Sequence, residues 1–297
     1  MTHPNVSFRH TLARLPDFLQ LMRLDRPIGT WLLMWPTLAA LWLAADGLPS
    51  RKLLIIFVIG VYCMRAAGCV INDYADRHFD GKVKRTKNRP LATGKISARE
   101  ALILFFSLMV VSFILVCFTG GKTVLVSLGG AVLAACYPFA KRYTQLPQVV
   151  LGAAFSWGIP TAFMAVRGDV PEIAWWLFLA NVIWTLMYDT AYAMVDRDDD
   201  LKIGVKSTAI LFGEYDLAIL TLLKLITLLL LAGLGIEAGL DGFYWLGLVG
   251  VVCLFVYQGY LTRNRSREGC FQAFLNNNWV GISLFAGIVL ALWPTAG

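Results

Sequence analysis

Two clusters of aspartates in this chain have the type and spacing to serve a hard divalent cation. The first is Asn72-Asp73-Tyr74-Ala75-Asp76-Arg77-His78-Phe79-Asp80, and the second spans Asp189 to Asp200 with Asp196 between them. On a helix, at about 100° per residue, Asn72, Asp76 and Asp80 fall within about 80° of one another, with Asp73 at the edge of that face. Asp189, Asp196 and Asp200 fall within about 40° on the same geometry, while Asp198 points to the far side and reads as solvated. Two like charges about 4 Å apart repel by about 4 kcal/mol at an effective dielectric near 20. Six gathered carboxylates therefore call for cations or stay splayed open. Aspartate and asparagine oxygens suit Mg²⁺, which takes only one or two carboxylates per ion and fills its shell with water and phosphate. Asn72, Asp73, Asp76, Asp80, Asp196 and Asp200 are the candidate metal ligands. They are too sparse for a closed cage and suited to a metal–diphosphate complex.

The elements that must carry these clusters are membrane helices. Apolar residues make up 58% of the 297-residue chain and charged residues 15%, with a mean hydropathy of +0.65. Soluble domains average about 25% charged residues, so disorder and most soluble enzymes are excluded. Nine apolar stretches are each long enough to cross a bilayer: about 28–45, 53–71, 100–118, 122–140, 148–166, 173–193, 216–236, 242–261 and 271–293. Their runs are continuously apolar, without a period of two, which predicts helices rather than a barrel. The expected fold is all-α: a polytopic membrane protein with nine transmembrane helices around a central cavity and a cytoplasmic cap.

The basic residues orient it. Of the 26 lysines and arginines, 20 fall on one set of connections and four on the other. That asymmetry predicts a cytoplasmic N-terminus and an outer C-terminus. Residues 1–27 carry charges and prolines without an uninterrupted apolar core, so no signal peptide is expected there, and Leu12–Leu24 is weakly amphipathic, either lying on the membrane surface or forming a polar leader. The two longest connections, about 72–99 and 194–215, follow the second and sixth spans. A weak repeat, about 28–142 and 148–265 with a ninth helix appended at 271–293, makes residues 1–297 a single transmembrane domain. The six cysteines form no C-x-x-C pair and there are only three histidines, which speaks against a zinc site.

Phosphate needs basic partners, and Lys84, Arg85, Arg89, Lys141, Arg142, Lys202 and Lys206 share one membrane face with the carboxylates. Tyr137 lies one turn before Lys141. Their membrane placement predicts no nucleic-acid partner. Ionisable residues inside a membrane are functional candidates. Asp189 lies within the sixth span, and Arg65 is the one basic residue deep in the second. The outer half is apolar and the carboxylates gather at the cytoplasmic helix ends. A cation transporter, whose site normally lies near the midplane on broken helices, fits this less well.

Several stretches resemble the intramembrane aromatic prenyltransferases of ubiquinone biosynthesis: Asn72-Asp73-x-x-Asp76-x-x-x-Asp80, Gly81–Leu91, Tyr188–Met194, and Asp196-Arg197-x-Asp199-Asp200-x-Lys202-x-Gly204-x-Lys206-Ser207-Thr208-Ala209. Asp25–Thr30 and Asn276–Gly281 extend the likeness to both ends. Val83–Leu91 and Tyr188–Ala209 favour the branch that prenylates 4-hydroxybenzoate. The resemblance implies Mg²⁺-dependent transfer of a polyprenyl group from its diphosphate to the ring carbon ortho to the phenol, in the bacterial inner membrane. The substrates would be polyprenyl diphosphate, delivered from membrane lipid, and 4-hydroxybenzoate. It implies that Asn72, Asp76 and Asp80 hold one Mg²⁺ and Asp196 and Asp200 the other. Lys84, Arg85, Tyr137, Lys141, Arg142 and Lys202 are candidates for the diphosphate, Arg26 and Arg65 for the aromatic acid, and Asp189 for proton transfer. Another acceptor, such as a naphthoate, homogentisate or haem precursor, is the alternative within the superfamily.

Overall fold

The computed structural model describes residues 14–78, 80–82 and 84–293, apart from the side chains of Lys82, Lys141 and Ile203. The apolar runs become helices: α1 (Leu15–Leu21), α2 (Ile28–Ala45), α3 (Arg51–Asp76), α4 (Ala98–Cys117), α5 (Gly121–Tyr143) and α6 (Pro147–Ser156). They are followed by α7 (Gly158–Arg167), α8 (Glu172–Ile203), α9 (Thr208–Phe212), α10 (Asp216–Glu237), α11 (Gly242–Thr262) and α12 (Arg267–Ala291). No strand occurs among the described residues. Ser50, Ser97, Asp241 and Ser266 start α3, α4, α11 and α12 by accepting a first-turn N–H, and Ser97 and Glu100 close a reciprocal capping box.

Among the described residues, eight helical segments are long and apolar enough to cross a membrane, where nine are expected. The difference lies in α8, which contains the 173–193 stretch but carries buried Asn181, Thr185, Thr190 and Asp196. It packs against α6, α10 and α12, so its polar side chains meet protein rather than lipid. α4 and α5 are the opposite case. Only 11% of each apolar window is buried, and both are apolar on nearly all sides.

Two other expectations need correcting. The 148–166 stretch is two helices, α6 and α7, broken at Trp157. Pro160 has no N–H to give to Ser156, and its ring would collide with that carbonyl. The Trp157 indole donates to the Val126 carbonyl at 2.7 Å and lies flat against Gly130, where a β-carbon would be 2.8 Å from Cδ1. Pro36, by contrast, sits inside an unbroken α2. The 194–215 connection is also mostly helical. α8 continues to Ile203 and ends at Gly204, whose φ of 72° suits a residue without a β-carbon, and α9 follows.

The segment between α3 and α4 folds back on the bundle. Leu91 and Ile96 pack with Leu21, Ala67, Val70, Ala101 and Phe105. Arg14 reaches across to Glu100 at 2.5 Å and to the Lys95 carbonyl at 2.9 Å. The leader is therefore a docked element over Leu15–Leu21; residues 12–13 lie outside the described residues.

Candidate active site

A cavity of about 1050 Å³ lies among α2–α8 and α12. One end is polar, with Arg23, Arg26, Asn72, Asp73, Arg85, Asn88 and Arg89. The remainder is walled by apolar side chains of α3–α7, including Phe106, Val110 and Phe113 of α4. These three are also at least half exposed, and little protein covers α4, so this wall borders the apolar belt.

The first acidic cluster departs from its expected geometry. α3 stops at Asp76, and Asp80 lies on a separate 3₁₀ turn (Asp80–Lys82), so Asn72, Asp76 and Asp80 do not share one helical face. Asn72 and Asp73 line the cavity, and Asp76 ends α3 half-buried. Asp73 is 1% exposed and paired with Arg23 at 3.0 Å and Arg89 at 2.9 Å. Arg89 also grips Asp80 at 2.9 Å, and the Thr86 hydroxyl donates to the Asp80 carbonyl at 2.9 Å, which folds the turn over the helix end. Burial holds the Asp80 carboxyl above the usual carboxylate range, against the pull of Arg89. Burial also works against the charge of Arg89. Asp73 and Asp80 outweigh it and hold the guanidinium above its ordinary value.

The second cluster keeps its expected geometry, with Asp189, Asp196 and Asp200 all on α8. Asp189 lines the cavity. Asp196 is buried and held by Arg85 at 2.5 Å, while Arg85 also stands 4.8 Å over the Tyr192 ring. Arg85 and Arg89 are four residues apart on one loop, and each holds one cluster. The two clusters therefore meet at that loop, and Arg85 itself feels the field of Asp80. The neighbouring Arg197 is bonded to Asp216, which is fully buried and also accepts from Arg265 at 2.9 Å. This fixes the end of α8 against the start of α10.

The remaining candidates divide. Arg65, Arg26 and Tyr137 line the cavity. Arg26 is 75% exposed beside Asp25, so it stands at the mouth. Arg65 stands 5.7 Å from the Phe155 ring, and its Nε is buried without a hydrogen-bond partner. Lys84 and Lys202 are exposed and do not line the cavity; Lys202 approaches Asp199 at 4.0 Å. Arg142 donates to the Ala75 carbonyl at 2.7 Å, tying α5 to the end of α3. The Lys141 side chain lies outside the described residues. Sequence reasoning missed Arg23 as a partner of Asp73 and Asp216 as the anchor of Arg197. Arg23 sits in a turn at φ 58°, for which the sequence has no glycine or asparagine signal.

Among the described residues, no group of three histidine, cysteine or carboxylate side chains is arranged as a metal cage. The donor chemistry nevertheless fits Mg²⁺. Each cluster offers few hard oxygens and leaves room for water and phosphate, and the carboxylates already take guanidinium as a counter-charge.

This bundle with paired aspartate motifs is that of a prenyl-transferring class: the chain belongs to the UbiA prenyltransferase family, which it matches over residues 33–293. Two solved structures share the fold. The UbiA homolog from Aeropyrum pernix superposes with a TM-score of 0.79 at 23% identity, over 89% of this chain and 98% of that one. The UbiA homolog from Archaeoglobus fulgidus bound to GPP and Mg²⁺ gives 0.74 at 19% identity, over 94% and 100%. Much nearer in sequence is the 4-hydroxybenzoate octaprenyltransferase of Chromohalobacter salexigens, 65% identical over 283 residues, or 95% of each chain. That of Pseudomonas aeruginosa is 59% identical over 282 residues, covering 94% of this chain and 95% of its own.

Proposed function

We propose that this chain transfers a polyprenyl group from its diphosphate to the carbon ortho to the hydroxyl of 4-hydroxybenzoate, releasing diphosphate, in ubiquinone biosynthesis. The observation that carries the reading is the meeting of both aspartate clusters at one arginine loop, at the polar end of a cavity whose other walls are apolar. The near-full-length identity to enzymes of that name supports the acceptor. The domain is undivided, its two halves related by a weak repeat. α8 serves as a ninth span, the clusters face the cytoplasm, and the chain resides in the bacterial inner membrane.

Asn72, Asp76 and Asp80 would hold one Mg²⁺, and Asp196 and Asp200 the other, with Asp73 beside them. Bound there, Mg²⁺ supplies Lewis acidity to the leaving diphosphate. Arg85, Tyr137 and Lys141 bind phosphate oxygens; the forked guanidinium suits them. The allylic C–O bond breaks with its electron pair leaving on diphosphate. The aromatic and apolar walls exclude water, and ring faces stabilise the allylic cation by about 0.5–2 kcal/mol each. Arg65 holds the carboxylate of the aromatic acid and aims its ring, with Arg26 at the mouth. The ring carbon forms the new C–C bond, and Asp189 takes the proton that leaves it.

The test is product formation in membranes supplied with 4-hydroxybenzoate, a polyprenyl diphosphate and Mg²⁺. Prenylated 4-hydroxybenzoate is expected. Turnover of a naphthoate or homogentisate in its place would overturn the acceptor.

A further inference from the structure

The Arg65 guanidinium rests on a residue that has no side chain. A β-carbon built on Gly29 would run into Nη2 and Nε of Arg65 and come within 2.7 Å of Cζ, all far inside van der Waals contact. Gly29 is the second residue of α2, buried, and part of the same cavity wall as Arg65. Its backbone is ordinary helix, so neither turn geometry nor a positive φ calls for glycine here. The space above its Cα is what the guanidinium occupies.

Among the described residues, few contacts hold the head of Arg65. Nε is buried with no hydrogen-bond partner, and the Phe155 ring stands 5.7 Å away. An aromatic face attracts a guanidinium but does not set its orientation as a bidentate carboxylate does. The close surface of α2 at Gly29 and the long side chain anchored on α3 together define where the charge sits.

We infer that Gly29 is a positioning residue for the aromatic acceptor: its bare Cα is the seat that sets the Arg65 guanidinium at the height of the substrate carboxylate, and so selects acids over uncharged phenols. This rests on the proposed role of Arg65. The atoms that a new β-carbon meets are the far end of a flexible side chain rather than backbone. Gly29→Ala therefore displaces the guanidinium and leaves the bundle intact.

The experiment measures steady-state kinetics in membranes for wild type, Gly29→Ala, Arg65→Ala and the double variant. Each is assayed with 4-hydroxybenzoate and with its methyl ester, varying polyprenyl diphosphate separately. Gly29→Ala should raise the KM for the acid by about tenfold, the scale of one charge-assisted hydrogen bond. The KM for the diphosphate and the turnover of the ester should stay within about twofold, less than 0.5 kcal/mol. Adding Gly29→Ala to Arg65→Ala should change nothing further, since the displaced group is gone. An unchanged acid KM in Gly29→Ala, with Arg65→Ala impaired, overturns the seat and leaves the role of Arg65 standing. An unchanged acid KM in Arg65→Ala overturns that role itself. If Gly29→Ala fails to accumulate, recovery of protein in the double variant supports the seat, and continued loss overturns it.

Discussion

The two acidic clusters reach the same place by different means. The second lies on one continuous helix, so its relative geometry is fixed by α8 alone and its arginine partners only complete it. The first is split between the last residues of α3 and a 3₁₀ turn. It coheres because Arg89 spans Asp73 and Asp80 while Arg23 arrives from the leader. One cluster is a property of local structure and the other of tertiary contacts. Damage to remote residues should therefore fall more heavily on the first.

Chelation should have the largest effect, because it removes what both clusters are proposed to share. EDTA is expected to abolish turnover and added Mg²⁺ to restore it; product formed equally well in EDTA would remove the metal assignment. Next in size are Asp76→Ala and Asp196→Ala, one from each cluster. Each should lower kcat by at least about a hundredfold, the scale of losing one electrostatic contributor, with the protein still inserted. Normal rates in one alone would mean that a single cluster does the work. Arg89→Ala tests the tertiary dependence. Arg23 stays on Asp73 but buried Asp80 loses its ion partner, so the change should cost about 3 kcal/mol of stability, the scale of orphaning one buried charge, read as a lower midpoint in thermal unfolding in detergent. No shift would show that the first cluster is as self-sufficient as the second. Arg267→Ala should matter least. Its pair with Asp198 is well exposed and that with Asp199 is half-buried on the aspartate side, so about 1 kcal/mol or less is expected, and kcat should hold. A tenfold fall in kcat there would mean that the end of α8 needs remote support after all.

The contrast also explains what was readable in the amino-acid sequence. The span 28–45 coincides with α2, and most other boundaries fall within a few residues, because long apolar runs declare themselves. α8 was legible as a helix but not as the buried centre of the bundle, since burial depends on neighbours that a periodicity does not name. Asp189, Asp196 and Asp200 could be set on one face because the helix carries straight through them. Asp80 could not, because the stop after Asp76 is made by Arg89 and Thr86 pulling the turn back rather than by a proline or glycine at the stop itself. The break at Trp157 was one turn away from a visible cause, Pro160. Arg23 and Asp216 carried no local signal, for ion pairs between residues 19 to 50 positions apart leave none in sequence order.

Phe106, Val110 and Phe113 line the hollow interior and are at least half exposed. Only 11% of the α4 apolar window is buried, so this wall has little protein behind it. A guest with a tail longer than the hollow need not be folded up inside it. Surplus methylenes, each worth about 0.8 kcal/mol in hydrocarbon, can trail out between the rings into the surrounding acyl chains. Such a chamber measures the head of its guest and leaves the length of the tail to the bilayer.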